Sequence, residues 1–261
     1  MSTATTVDRA GISKASETTE SLGVNWRRLG MIAFSILGVY ALYRVYMQNF
    51  SYNVGLDSFE PEFQTYWMNL LYAQIAFFAV SGAGILGYLW FTRSSAEELA
   101  NISPTEELSR YFGMLGWLFT FGMMAGVMGA LGTESDAAWH QVVIRDSDFT
   151  PTHIELFYFC IPALIISAMG LFLYMRTRIP AHSRKFFVPL MIGISGPALI
   201  LPLFGYNEWG HTFFYAEELF AAPVHWGFAI MGVAFLALGG ILTQIVGRMS
   251  DLMEQVAAEQ K

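Results

Sequence analysis

The chain has 261 residues, of which 54% are hydrophobic and only 13% are charged, well below the roughly 25% of a soluble domain. With a formal net charge of −7, the composition excludes the basic surface that a nucleic-acid partner requires. The single cysteine, Cys160, excludes an intrachain disulfide and a multi-thiolate metal cluster, and it is expected to pack in an apolar core.

The first 27 residues are polar and lack the apolar core of a secretory signal, so residues 1–27 are expected to form a disordered cytoplasmic tail. Apolar stretches of about 20 residues, enough for a helix to cross a bilayer, then follow one another along the chain. They predict an all-α integral membrane bundle of six transmembrane helices over 28–248, followed by a cytoplasmic C-terminal tail over 249–261. The spans are placed at 29–48, 66–92, 111–132, 152–175, 186–206 and 223–247.

Local signals refine two of these spans. Thr150 and Pro151 predict the start of the fourth span, as a helix-capping residue followed by proline at the first helical position. In the fifth span, Pro189, Pro197 and Pro202 each remove a backbone hydrogen bond and predict bends.

Aromatic residues at span ends are typical of an interfacial belt, namely Trp67, Trp209 and Trp226.

Basic residues predict the orientation, because cytoplasmic loops retain Lys and Arg. Arg145 is the one basic residue in the predicted outer loops, and Arg44 lies inside the first span. The remaining twelve fall on the other side: Arg9, Lys14, Arg27, Arg28, Arg93, Arg110, Arg176, Arg178, Arg184, Lys185, Arg248 and Lys261. Both the N- and C-termini are therefore predicted to be cytoplasmic.

Four of the five histidines fall at the predicted outer face, and they form two similar sets. Asp136 and His140 are four residues apart, as are Asn207 and His211, and this spacing places each pair on one helix face. His153 and His225 lie just inside the next helices, where they can complete the triads Asp136/His140/His153 and Asn207/His211/His225. Any one of these histidines could instead only hydrogen-bond at the interface, but the repeated spacing favours two metal sites.

Imidazole and carboxylate ligands suit copper, zinc, iron or nickel, and the Irving–Williams order favours copper. Neighbouring acids could orient the histidines or simply be solvated, and Arg44 could pair with one of them. These acids are Glu134, Asp146, Asp148, Glu155, Glu208, Glu217 and Glu218. Three methionines, Met123, Met124 and Met128, are interpreted as core packing rather than a cuprous site.

Three segments carry a resemblance to a known family: DSFEPEFQTYWM (57–68), DAAWHQVVIRDSDFTPTH (136–153) and NEWGHTFFYAEELFAAPVHWGF (207–228). They resemble the C subunit of the copper membrane monooxygenases, which include particulate methane, ammonia and short-chain hydrocarbon monooxygenases. The resemblance implies that both triads match copper sites, with zinc as a possible substitute in one. It also implies A and B subunits, commonly as a trimer of ABC units in a bacterial inner or intracytoplasmic membrane, and oxidation of a small substrate with O2 and electrons from quinol.

The chain departs from that family beside both triads. Where the family tends to carry WGASFFTEQD or WGASYFTEQD, this chain reads VMGALGTESD (127–136), and PNVGLNEWGH becomes PLFGYNEWGH (202–211). Val127, Leu131 and Gly132 thus stand where aromatic residues are usual, which predicts a roomier pocket beside Asp136. The expected substrate is therefore a short-chain alkane (C1–C4) in preference to ammonia.

Three other functions fit parts of the pattern. A b-type cytochrome-like electron-transfer subunit would explain paired histidines, but not Asp136 and Asn207 at matching positions. A noncatalytic subunit with a structural metal would explain the ligands without turnover. A metal transporter is disfavoured because the chain has no internal repeat and few charges deep in its spans.

Overall fold

The computed structural model describes residues 23–143, 149–185, 188–193 and 217–259. Every element of regular structure within these ranges is a helix and none is a strand, which confirms the all-α class. Four of these helices are long and apolar enough to cross a membrane, and they coincide with the first four predicted spans. They run over Trp26–Phe50, Pro61–Phe91, Pro104–Met128 and Pro151–Arg178.

Helix α1, Trp26–Phe50, begins where the Asn25 side chain accepts a hydrogen bond from the Arg28 backbone N–H at 2.9 Å. One stripe at helical spacing is buried, namely Ile36, Tyr40, Tyr43 and Met47. The other faces expose large apolar side chains, as expected for a helix whose outer surface meets lipid or another membrane subunit. Helix α1 therefore packs on the bundle through a single face.

Helix α2, Pro61–Phe91, has proline at its first position and a π-helical turn at Gln64–Met68. Trp67 lies in this turn and is completely buried, with its ring 5.3 Å from that of Tyr46 on α1. The expectation that Trp67 belongs to an interfacial belt is therefore wrong, because its indole fills the contact between α1 and α2. The short helix α3, Ala96–Ala100, follows and is started by a capping box.

Helix α4 is continuous over residues 104–142 and has three parts, Pro104–Met123, a π-helical segment at Met124–Leu131, and Gly132–Val142. It begins where the Ser103 hydroxyl accepts a hydrogen bond from the Glu106 backbone N–H at 3.2 Å. The helix continues past residue 132, where the predicted span ends. This extension is the part that carries Asp136 and His140.

Helix α5, Pro151–Arg178, starts where the sequence predicts. The Thr150 hydroxyl accepts a hydrogen bond from the His153 backbone N–H at 3.2 Å, and Pro151 is the first helical residue. A π-helical turn follows at Leu156–Cys160. Helix α5 contributes to all three apolar clusters that the described residues form, so it is the helix around which the others pack.

The methionines and the cysteine of the apolar runs have packing roles, as predicted. Cys160 is buried in one cluster with Val127 and Met128, and Met123 and Met124 pack against it. Thioether and thiol groups fill irregular gaps between α4, α5 and α1.

The remaining described helices are α6, Pro180–Ser183, α7 at residues 188–193, and α8, Glu217–Glu259. The sixth predicted span, 223–247, lies within α8. Most of the fifth predicted span, with Pro197 and Pro202, lies outside the described residues. The fifth and sixth spans therefore stay predictions.

One end of the bundle gathers basic residues and ties the helices together through them. The Arg178 guanidinium donates to the Thr92 hydroxyl at 2.6 Å, and Arg248 on α8 donates to the Glu107 carboxylate on α4 at 2.7 Å. These residues belong to the side that the basic-residue count assigns to the cytoplasm. The candidate metal ligands lie at the opposite end.

Helices α4 and α5 approach each other closely at Gly170, where a Cβ atom would overlap the Trp117 ring. We expect Gly170→Ala to destabilise the protein by about 1–3 kcal/mol, because overpacking outweighs the better helix propensity of alanine. At Gly84 nothing lies within 4 Å of the added atom, so Gly84→Ala is the matched control. Thermal unfolding of the purified complex measures both, and an unchanged midpoint for Gly170→Ala would contradict this packing.

Candidate metal centre

The structure brings Asp136, His140 and His153 together, as the sequence predicts. One potential ligand atom from each residue lies within 4.8 Å of the others. Asp136 Oδ1 lies 3.3 Å from His140 Nδ1 and 3.6 Å from His153 Nε2. Two ligands of one tetrahedral ion with bonds of about 2.0–2.1 Å are roughly 3.3 Å apart, and the 3.6 Å between Asp136 Oδ1 and His153 Nε2 is close to that separation.

Two helices supply these ligands. Asp136 and His140 are one turn apart on α4, and His153 is in the first turn of α5. His140 Nδ1 donates to the Asp136 backbone oxygen at 2.8 Å, which orients the ring and leaves Nε2 as the nitrogen that can bind a metal. The imidazoles of His140 and His153 lie side by side, with ring centroids 5.1 Å apart.

The electrostatics of the cluster suit a cation. Burial raises the pKa of the Asp136 carboxyl, but the hydrogen bond from His140 and the charge of His153 outweigh burial, so the pKa lies below its usual range. Asp136 is therefore a carboxylate at neutral pH, the form that binds a metal. His153 is fully buried, whereas Asp136 and His140 are partly exposed, so the cluster is reached from the side of α4.

Aromatic side chains form the walls of the cluster. The Trp139 ring lies 5.2 Å from that of His140, and the Phe157 ring lies 5.1 Å from that of His153. Trp139 is itself anchored, because its indole N–H donates to the Ser51 backbone oxygen at 3.2 Å. The spacing of four residues between His153 and Phe157 is the signal from which the second wall could have been predicted.

Polar residues near Asp136 connect the site to α1. Arg44 forms an ion pair with Glu134 at 3.2 Å, which confirms that it pairs with one of the neighbouring acids. Glu155 is fully buried and is close enough to Ser135, Arg44 and Asp136 to interact with them electrostatically. The burial of Ser135 and Glu155 could not be predicted from the sequence, since it depends on the packing of α1 against α4 and α5.

The extra room expected from the small residues beside Asp136 is absent at two of the three positions. A Cβ on Gly132 would lie 2.8 Å from Cys160 Sγ, so α5 occupies the space that an aromatic residue would need. Val127 is buried in the cluster that includes Tyr40. The expectation of a larger pocket at Val127 and Gly132 is therefore wrong, while Leu131 is 43% exposed.

The second predicted triad lies largely outside the described residues. Asn207 and His211 are not among them. His225 lies in α8, in a part of the helix where only the backbone is described. This site therefore stays a prediction.

Comparison with known proteins gives one family. The family model for the C subunit of ammonia monooxygenase/methane monooxygenase matches residues 9–256, which is nearly the whole chain. A search among curated proteins found no match.

Proposed function

Because this chain belongs to the family of ammonia monooxygenase/methane monooxygenase C subunits, we propose that it is the copper-binding membrane component of a monooxygenase. The family implies association with A and B subunits. The proposed assembly is a trimer of ABC units that takes electrons from quinol. The reaction adds one oxygen atom of O2 to the substrate and reduces the other to water, with two electrons and two protons.

The observation that carries this proposal is the cluster of Asp136, His140 and His153, with ligand atoms within 4.8 Å of one another. Two imidazoles and a carboxylate fit copper best among common divalent metals, with zinc as a possible substitute in one site. A bound copper ion would supply the redox chemistry that activates O2. The triad of Asn207, His211 and His225 is proposed as a second copper site, and catalysis is not assigned to one of the two.

The protein's own contribution at the first site is to hold the ligands and to limit water. The His140 ring is oriented by the Asp136 backbone oxygen, and His153 is held in a fully buried first turn. Trp139 and Phe157 form apolar walls against the two imidazoles. Apolar walls favour an apolar substrate over a hydrogen-bonding one, so we propose a short-chain alkane (C1–C4) over ammonia.

The geometry argues against a haem between these histidines. Axial imidazoles on opposite faces of a haem, with metal–nitrogen bonds of about 2 Å, have ring centroids roughly 6 Å apart. The centroids of His140 and His153 are 5.1 Å apart, and Asp136 Oδ1 lies within 3.6 Å of both rings. This arrangement supports a single small ion rather than a b-type cytochrome.

Replacing His140 and His211 together with Ala tests the copper assignment. We expect the complex to assemble but to contain less than half of the wild-type copper, because each proposed triad loses an imidazole. Copper per complex is measured on purified complexes in lipid nanodiscs. His182→Ala is the matched control, since His182 is a buried histidine at the opposite end of the bundle.

Unchanged copper in the assembled double variant would refute the assignment. Loss of copper with wild-type turnover would instead identify a noncatalytic subunit with a structural metal.

The proposed location is a bacterial inner or intracytoplasmic membrane, with both termini in the cytoplasm and the metal sites towards the outer face. An engineered cysteine tests this, because Cys160 is the only native cysteine and is buried. Ile12→Cys should remain unlabelled by an impermeant thiol reagent in intact cells, whereas Phe59→Cys should be labelled, since Phe59 is 94% exposed at the other end. Labelling of both would rule out this orientation.

The alkane preference is tested by kcat/KM for methane, ethane, propane, butane and ammonia. Each added methylene contributes up to about 0.8 kcal/mol when buried, so the longer alkanes should react at least as efficiently as methane. Gly132→Phe is unsuitable as a probe, because the new ring would collide with Cys160 and Leu156. Leu131→Phe restores an aromatic residue at an exposed position and should selectively lower the rate for butane. A strong wild-type preference for ammonia, or an equal effect on all alkanes, would contradict this proposal.

A further inference from the structure

The segment that follows α1, residues 51–55, lies against both of the helices that carry the proposed ligands. Its two buried residues are Ser51 and Gly55. Ser51 contacts Trp139 of α4, and Gly55 contacts Pro151 of α5. Trp139 comes directly before one histidine ligand, and Pro151 comes two residues before another. One short segment therefore reaches both ligand-bearing turns.

The contact with α4 is a buried hydrogen bond. Ser51 ends α1, where its backbone N–H donates to the Met47 oxygen at 2.9 Å. The carbonyl of a residue at a helix end has no partner within its own helix, so a buried one requires a donor from elsewhere. The Trp139 indole N–H supplies it at 3.2 Å, and both residues are 1% exposed. This bond fixes α4 to the end of α1 beside His140, whose ring lies 5.2 Å from that of Trp139.

The contact with α5 is a close approach of backbone to a proline ring. A Cβ on Gly55 would lie 2.5 Å from Pro151 Cγ and 2.6 Å from the Ser51 oxygen. The φ of Gly55 is outside the left-handed region, so space rather than backbone conformation requires glycine here. The Ser51 oxygen is the same atom that accepts from Trp139. The contacts with α4 and α5 therefore meet at one point.

This meeting point bears on metal binding because the proposed ligands are divided between two helices. Asp136 and His140 lie on α4, and His153 lies on α5. Ligand atoms must be held within about 0.5 Å of their binding geometry, so the two turns must keep a fixed separation. A segment that contacts both turns restricts that separation directly.

We propose that residues 51–55 form a brace that holds the two ligand-bearing turns at the separation required for metal binding. Trp139 and Gly55 are then positioning residues of the metal centre, which act without binding the metal. This inference rests on the proposed function, since it requires a metal at the cluster of Asp136, His140 and His153. Breaking either contact of the brace should weaken metal binding although every ligand is still present.

The first test is Trp139→Phe, which keeps an aromatic ring and removes the indole N–H that donates to Ser51. In the complete complex in lipid nanodiscs, titrated with chelator-buffered Cu(II), we expect the affinity of the first site to fall about 10–100-fold, as for other residues that orient a metal ligand. Trp67→Phe is the matched control and should keep wild-type affinity. Trp67 is equally buried, but its indole N–H has no hydrogen-bond partner among the described residues.

The second test is Gly55→Ala. Carbon atoms in contact lie about 3.5–4.0 Å apart, so the new Cβ and the Pro151 ring must separate by about 1 Å, which exceeds the tolerance of a metal site. We expect a similar fall in first-site affinity. Gly170→Ala is the matched control, because it overpacks α5 against Trp117 away from the ligands and should leave that affinity unchanged. Gly55→Ala also keeps the proposal testable if Trp139→Phe fails to assemble.

The electron paramagnetic resonance spectrum of bound Cu(II) is a readout that general destabilisation would not change. The wild-type spectrum minus that of His140→Ala gives the spectrum of the first site. This difference spectrum should change in Trp139→Phe and Gly55→Ala, and it should not change in Trp67→Phe or Gly170→Ala.

His140→Ala also separates this inference from the proposed function. If His140→Ala binds as much Cu(II) as the wild type, the metal assignment itself fails. If His140→Ala binds less, an assembled Trp139→Phe or Gly55→Ala complex with wild-type affinity and spectrum overturns only the brace. Equal losses of affinity in Trp67→Phe or Gly170→Ala would overturn the brace as well, because they would show that any loss of packing weakens the site.

Discussion

The candidate metal centre depends on one contact, where the first turn of α5 lies against the last turns of α4. Asp136 and His140 belong to α4 and His153 belongs to α5, so neither helix alone holds all three ligands. Thr150 and Pro151 determine the residue at which α5 begins. Adding one residue to the first turn would rotate His153 by about 100° around the helix axis and remove it from the cluster.

Charge is buried at both ends of the bundle, but the two ends differ in how it is balanced. Glu107 receives two hydrogen bonds from Arg248, at 2.7 and 3.1 Å, so that buried carboxylate is fully paired. Beside the histidines, the Asp136 carboxylate lies 3.3 and 3.6 Å from two imidazoles, and the partly exposed Arg44 is paired with Glu134. A buried charge that is paired one to one serves packing, whereas a carboxylate that converges with two imidazoles is typical of a binding site. Variants of the Glu107–Arg248 pair can therefore serve as controls for variants near the metal centre, because this pair is buried in the same bundle but lies far from the ligands.

The features that the sequence predicted correctly are local ones. The start of α5 follows from a cap and a proline, and the Asp136/His140 pair follows from the helical repeat. The features that it missed depend on residues far apart in the chain. Trp67 is buried because α1 covers it, and Gly132 has no free space because Cys160 lies against it. The size of a residue does not reveal which face of its helix meets a neighbouring helix. The small residue at Gly132 therefore predicted a pocket, whereas the structure has a close contact between two helices at that position.

The π-helical segments connect this packing to the ligands. Of the three described π-helical segments, Met124–Leu131 ends just before the turn that carries Asp136, and Leu156–Cys160 begins just after the turn that carries His153. A π turn contains an extra residue, so side chains before and after it face different directions than in an uninterrupted α-helix. The turns that carry the ligands can therefore face one another while the rest of α4 and α5 packs along its length, and Gly132 and Cys160 make a close contact between the two helices next to the site. Rigid packing next to the site is what holds ligand atoms at the separations that a single metal ion requires.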